Sequence, residues 1–208
     1  MANLLVNKIF NGNAEFLFGV NDLTKLPNNH FPEIAFIGAS NAGKSSLINA
    51  LIGKKIAVTS ATPGRTQQLN FFKILGYRDG FMIVDMPGYG YAKNSLDSIK
   101  YWQQLSIDYL YNRQNLKRIF LLIEAQKGLK AHDLELMEFF KSYNVSFQVV
   151  LTKIDKLNLS EQQLALEKIY TNIKLNPRAI TKIISTSFKK NYGIFELQNE
   201  IVKILESC

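Results

Sequence analysis

The sequence predicts an α/β fold in three layers: a six-stranded, mainly parallel β-sheet with one antiparallel edge strand and helices on both faces. Strand-length apolar runs alternate with helical patterns along the chain, one pair of runs is joined by a short hairpin link, and the last helix carries a single apolar stripe. Residues 1–30 read as an N-terminal extension and 31–208 as the domain itself. The first run, 33–37, leads into a helix beginning near Gly43. Runs at 68–75 and 81–85 are joined by 76–80, where Arg78-Asp79-Gly80 reads as a tight turn, so these two strands pair antiparallel. Helices then begin near Ile99, Ala131, Ser160 and Tyr192, alternating with strands at 118–124, 147–152 and 180–185. Ser160-Glu161-Gln162-Gln163 reads as a capping box. Ile194, Leu197, Ile201 and Ile204, at three- and four-residue spacing, give the last helix one buried face. Strands separated by helices need crossover connections, which makes the sheet mainly parallel.

Composition narrows the class. In 208 residues, 47% are hydrophobic and 20% charged, the balance of a globular chain and too apolar for disorder. No stretch approaches the ~18 apolar residues of a membrane span, and the N-terminus lacks the basic start and apolar core of a secretory signal. The lone Cys208 excludes an internal disulfide and a multi-cysteine metal site, and fits a reducing, cytoplasmic setting. Twenty-five basic against 17 acidic residues leave a charge of +8, which suits an anionic partner such as RNA.

Gly38-Ala39-Ser40-Asn41-Ala42-Gly43-Lys44-Ser45, followed by Ser46, fits the G-x-x-x-x-G-K-[ST] phosphate loop, between a strand and a helix as the motif requires. Its glycines let backbone N–H groups close on phosphates at a helix N-terminus; Lys44 reaches the outer two and the Ser45 hydroxyl can ligate Mg²⁺. Asp85-Met86-Pro87-Gly88 ends a strand, where a carboxylate can hold the metal's water shell and Gly88 can offer its N–H to a γ-phosphate. Between the two motifs lies a polar stretch, 59–68, with Thr62 and Thr66 as candidates for a second metal hydroxyl; position alone does not choose between them. Tyr89 stands where many GTPases carry a water-orienting glutamine, so intrinsic hydrolysis is expected to be slow.

Thr152-Lys153-Ile154-Asp155 follows another apolar strand. Asp155 can accept from guanine N1–H and its exocyclic amine together, whereas adenine offers a lone pair at N1. Lys153 can lay its aliphatic stem along the base. Ser185-Thr186-Ser187 follows the last strand, where a backbone N–H can meet guanine O6.

Taken in order, these motifs resemble a translation-factor-class GTPase. More narrowly, the chain resembles the EngB (YihA/YsxC) family of bacterial GTPases, within the TrmE-Era-EngA-EngB-septin-like P-loop superfamily. The match rests on Gly38–Ser46, on Pro63-Gly64-Arg65-Thr66-Gln67 with Leu69-Asn70-Phe71, on Asp85–Lys93, and on Thr152–Asp155, where threonine in place of the usual asparagine is a family habit. The resemblance covers about residues 30–205. It implies a P-loop NTPase fold of the Ras-like G-domain type, with Gln68 included in the loop that closes over the nucleotide. It implies GTP and GDP as ligands and Mg²⁺ held by Ser45 and Thr66, with Lys44, Thr66 and Gly88 as catalytic residues. It further implies slow hydrolysis, a switch in assembly of the large ribosomal subunit, and a link to normal cell division and septation; a monomer in the cytoplasm is expected. Two positions depart from the family pattern: Ala39 replaces an arginine, and Glu124 replaces an aspartate. Asn41 occupies the place from which related GTPases hold K⁺; it serves either that ion or the turn itself.

The basic face expected to meet ribosomal RNA or protein is drawn from Arg113, Lys117 and Arg118, or from Lys182, Lys189 and Lys190. The alternatives are a P-loop kinase or ATPase, which has no use for T-K-I-D, and a nucleotide-dependent RNA-binding module with negligible hydrolysis.

Overall fold

The structure, a computed structural model, describes residues 2–26, 30–58, 68–89 and 96–207. Its strands are β1 (Ala14–Val20), β2 (Glu33–Gly38), β3 (Leu69–Ile74), β4 (Phe81–Asp85), β5 (Leu116–Glu124), β6 (Phe147–Thr152) and β7 (Ala179–Ser185). Its helices are α1 (Ala2–Ile9), α2 (Lys44–Ile52), α3 (Leu96–Asn112), α4 (Ala131–Ser142), α5 (Leu159–Ile173) and α6 (Ile194–Glu206). One sheet runs in the order β1-β3-β4-β2-β5-β6-β7, with the five strands from β4 to β7 parallel.

Alternate residues of each central strand enter opposite cores, which is what three layers require. Ile34, Phe36, Phe120, Leu122 and Val150 face α1, α2 and α6, while Ala35, Ile37, Leu121, Val149 and Leu151 face α3, α4 and α5. The stripe expected on α6 is buried: Ile194, Leu197, Ile201 and Ile204 all lie in the first of these cores. A fully buried aliphatic side chain contributes about 1.5–3 kcal/mol, so this face suffices to dock the helix.

The sheet has seven strands rather than six. The additional strand, β1, comes from within residues 1–30 and pairs antiparallel with β3, so β3 lies inside the sheet instead of at its edge. β1 escapes a pattern search for a physical reason. Its register slips between Phe16 and Phe18, and Phe16 and Leu17 are both exposed, so the strand lacks a clean alternation of buried and open positions. The cap of α5 also differs from expectation. Asn158, not Ser160, accepts from the Glu161 N–H at 3.0 Å, while Glu161 Oε2 accepts from the Asn158 N–H at 2.8 Å. The Ser160 hydroxyl donates to Asn158 Oδ1 instead, at 2.7 Å. No helix among the described residues is long and apolar enough to cross a membrane.

Candidate nucleotide site

The site gathers at the C-terminal ends of β2, β4, β5 and β6 and at the segment following β7, where a parallel sheet opens a crevice between its connections. The phosphate loop leaves β2 at Gly38. Ala42 N–H donates to Ala39 O at 3.0 Å, and both Asn41 (φ 71°) and Gly43 (φ 90°) adopt left-handed backbone. Gly43 caps α2, and its lack of Cβ makes that conformation inexpensive. Asn41 adopts it as one of the few other residues that tolerate it.

Lys44 and Ser45 point from the first turn of α2 to the end of β4. Lys44 Nζ donates to Asp85 Oδ1, and Ser45 Oγ donates to Asp85 Oδ2 at 3.1 Å. Lys44 and Asp85 are both buried. Met86 N–H is held by Phe36 O at 3.0 Å, and after Pro87 the chain passes against the phosphate loop. A Cβ on Gly88 would sit 3.3 Å from both Ser40 N and Cα, so glycine suits this approach. Ser40 N–H then donates to Tyr89 O at 3.0 Å. The Tyr89 hydroxyl turns away from the loop and donates to Asp133 Oδ1 at 2.5 Å, beside the N-terminus of α4. Burial, then the Asp133 charge and this hydrogen bond, push the Tyr89 phenol well above its ordinary range.

The other wall comes from β6. Thr152 Oγ1 donates to Ala42 O at 2.6 Å, and Lys153 Nζ donates to Asn41 O at 2.7 Å. The T-K-I-D turn is thereby fastened onto the phosphate loop, 110 residues away in sequence in the case of Thr152. Lys153 itself has left-handed backbone (φ 56°) and leads into a short 3₁₀ turn, Ile154–Lys156, on which Ile154 is buried and Asp155 exposed. Ile154 N–H donates to Thr186 O at 3.1 Å, while Thr186 N–H and Oγ1 both donate to Leu151 O. Ser187 exchanges backbone hydrogen bonds with Tyr192, both at 2.9 Å, and Ser185 ends β7.

Gly38–Ser46, Asp85–Gly88, Thr152–Asp155 and Ser185–Ser187 thus come together. Gln68 hydrogen-bonds Asn70 at 3.0 Å beside Gly19, toward the β1 edge. Thr62, Gly64, Arg65, Thr66 and Gln67 lie outside the described residues.

Two groups of this region are not evident from motif spacing. Asp133 is one; it looks like an ordinary first-turn acid until Tyr89 is seen on it. Glu124 is the other, noticeable in sequence only as a departure from a family pattern. Burial alone would raise its carboxyl, but hydrogen bonds from Lys127 and Lys153, with their charges, hold it down at about 2. The expected basic face is also thinned. Arg113 is committed to the buried Glu33, with a closest approach of 2.6 Å, and Lys182 to Glu196 (3.0 Å) and Glu200 (3.3 Å). Lys117, Lys189 and Lys190 are exposed.

A family model described as "50S ribosome-binding GTPase" matches residues 33–153. The "Probable GTP-binding protein EngB" of Roseobacter denitrificans is 42% identical over 197 residues, covering 94% of this chain and 90% of that one. Its namesake from Mesorhizobium japonicum is also 42% identical, over 96% and 97% of the two chains. Among solved structures, a probable GTP-binding protein engB superposes with a TM-score of 0.67 at 22% identity, covering 85% of this chain and all of that one, a likeness of fold alone. Era from Aquifex aeolicus bound to GDP·AlF4⁻ superposes with a TM-score of 0.70 at 26% identity, over 85% of this chain and 57% of that one.

Proposed function

The chain belongs to the EngB family of GTP-binding proteins, and from that premise we propose that it binds GTP and GDP, hydrolyses GTP slowly, and serves as a switch in assembly of the large ribosomal subunit. The observation that carries the nucleotide reading is the attachment of T-K-I-D to the phosphate loop through Thr152 to Ala42 O and Lys153 to Asn41 O. A loop that reads a base is useful only at a fixed distance from a loop that grips its phosphates.

In this reading backbone N–H groups of Gly38–Ser46 and the start of α2 cradle the phosphates, and Lys44 transfers from Asp85 to the outer two. Gly88 offers its N–H to the γ-phosphate. The Ser45 hydroxyl and the Asp85 carboxylate lie 3.1 Å apart, a set of hard oxygen donors that fits Mg²⁺. Ser45 and Thr66 would ligate that ion directly and Asp85 through its water; when bound, it neutralises charge on the phosphates. Gly64, Arg65 and Gln67 would close over the nucleotide with Thr66, whereas Gln68 is held on Asn70 toward the β1 edge. Asp155 and Lys153 read guanine, a backbone N–H of Ser185–Ser187 meets its O6, and Thr152 and Ile154 hold the turn in place. Slow turnover follows because the Tyr89 hydroxyl is engaged by Asp133 and carries no amide to orient water. Asn41, with its left-handed backbone, is the group from which K⁺ would be held.

A cytoplasmic monomer acting on ribosomal RNA or protein fits the net charge of +8, and Lys117, Lys189 and Lys190 are the exposed cations for that contact. The link to septation follows the same assembly role. Calorimetry with GTP, GDP and ATP tests the base reading. Guanine nucleotides should bind about a thousandfold more tightly than ATP. Asp155→Asn should lose GDP about 100-fold and gain xanthosine diphosphate. Equal affinity for ATP and GTP would overturn it.

A further inference from the structure

The T-K-I-D lysine does not reach the phosphate loop unaided. Glu124 ends β5 directly beside Thr152, its register partner on β6, so its carboxylate emerges next to the base-reading turn. Only 5% of that side chain is exposed. Its Oε2 takes Lys153 at 3.0 Å and Lys127 at 2.7 Å, and Oε1 takes Lys156 at 3.4 Å. A buried carboxylate is tolerated only when paired, and here the pairing is threefold.

The three lysines are not equivalent. Lys127 and Lys156 are half exposed and end at Glu124, as ordinary compensating cations do. Lys153 is 21% exposed and its amino group has a second partner, Asn41 O of the phosphate loop at 2.7 Å. Its stem passes Gly43, with Cε 3.7 Å from where a Cβ on that glycine would stand. A lysine on its long stem carries considerable rotamer entropy when free. A carboxylate that fixes the amino group from below removes most of that freedom before any ligand arrives.

We propose that Glu124 is a positioning residue for purine binding: it holds Lys153 against the phosphate loop, so that the lysine stem lies ready as the floor under the base. The inference rests on the guanine-nucleotide reading above. Glu124 acts through Lys153, with Lys127 and Lys156 as further ion-pair partners that hold its carboxylate in place. Its charge is therefore essential and its length is not.

The test is GDP titration of the full chain by calorimetry, paired with the rate at which acetic anhydride modifies Lys153 in the nucleotide-free protein. Glu124→Gln should weaken GDP about tenfold and speed Lys153 acetylation at least about threefold, with Lys182 as the unchanged internal control. Glu124→Asp, which keeps the charge, should restore GDP affinity to within about threefold. Lys153→Met should cost as much as Glu124→Gln, and adding Glu124→Gln to it should cost less than about a further twofold. Full affinity in Glu124→Gln, or an equal further loss in the Lys153→Met background, overturns the proposal. Changed Lys153 reactivity in a chain that binds GDP and ATP alike would overturn the guanine reading and leave the role of Glu124 toward Lys153 standing.

Discussion

At the phosphate corner of the site, the side chains assigned to the ligand hold one another. Lys44 and Ser45 both donate to Asp85, and Lys44 and Asp85 are buried together. At the base corner Asp155, the carboxylate proposed to read guanine, stands exposed, and its loop is kept in shape by hydrogen bonds among its neighbours. Thr152 bonds Ala42 O, Ile154 N–H bonds Thr186 O, and Thr186 bonds Leu151 O. In the first corner binding and stability therefore share the same atoms; in the second they are divided between neighbours. Substitutions can separate the two designs.

The largest expected effect is at Lys44. Lys44→Ala strands a buried carboxylate, and removing one partner of such a pair costs about 3–5 kcal/mol. Urea unfolding of the nucleotide-free chain should register that loss, and Asp85→Asn added to Lys44→Ala should recover most of it. Asp155→Asn, made at an exposed position, should move stability by less than about 0.5 kcal/mol in the same assay. Equal stability of wild type and Lys44→Ala would break the comparison, because phosphate binding would then be the sole role of the lysine.

A smaller effect is expected at Thr152, which belongs to the supporting set of the base corner. Thr152→Val keeps the shape but leaves the Ala42 carbonyl without its 2.6 Å donor. A buried acceptor left unsatisfied costs about 1–3 kcal/mol. Here the loss should appear in unfolding and as weaker GDP binding together, since the two loops come apart, while selectivity for guanine over adenine persists. Loss of selectivity instead would move Thr152 from the supporting groups to the reading groups.

How much of this was legible depends on what kind of bond each feature uses. The phosphate loop, Asp85 at a strand end and the T-K-I-D turn announce themselves because ligand chemistry fixes residue type and spacing within a few positions. The parallel strands do so through continuous apolar runs, since both sheet faces are covered. β1 does not, because a bulge and two exposed apolar residues erase its period. The cap of α5 falls on Asn158 rather than Ser160 because both are competent caps, and only backbone geometry chooses between them. Glu124 with Lys153, and Tyr89 with Asp133, join residues 29 and 44 positions apart. No local pattern encodes such pairs. Arg113 and Lys182 fail as free basic residues for the same reason: their carboxylates sit on other elements.

The smallest expected effect is at Tyr89, and it sharpens the comparison most finely because this residue touches both the phosphate loop and α4. Its carbonyl accepts from Ser40 N–H at 3.0 Å, while its hydroxyl donates to Asp133 Oδ1. Asp133 Oδ2 accepts the Lys130 N–H at 2.7 Å, so the acid is partly satisfied without the tyrosine. Tyr89→Phe should therefore cost only about 1 kcal/mol of stability. The backbone bond to Ser40 survives the change, so GDP affinity should hold. GTP turnover should stay within about threefold of wild type, because a hydroxyl engaged by Asp133 is not orienting water. Single-turnover hydrolysis with saturating GTP measures this directly. A tenfold fall in the rate with GDP affinity intact would mean that the hydroxyl leaves Asp133 for the reacting phosphate in the GTP state. Tyr89 would then join Lys44 among the groups whose structural and chemical partners are exchanged during the cycle.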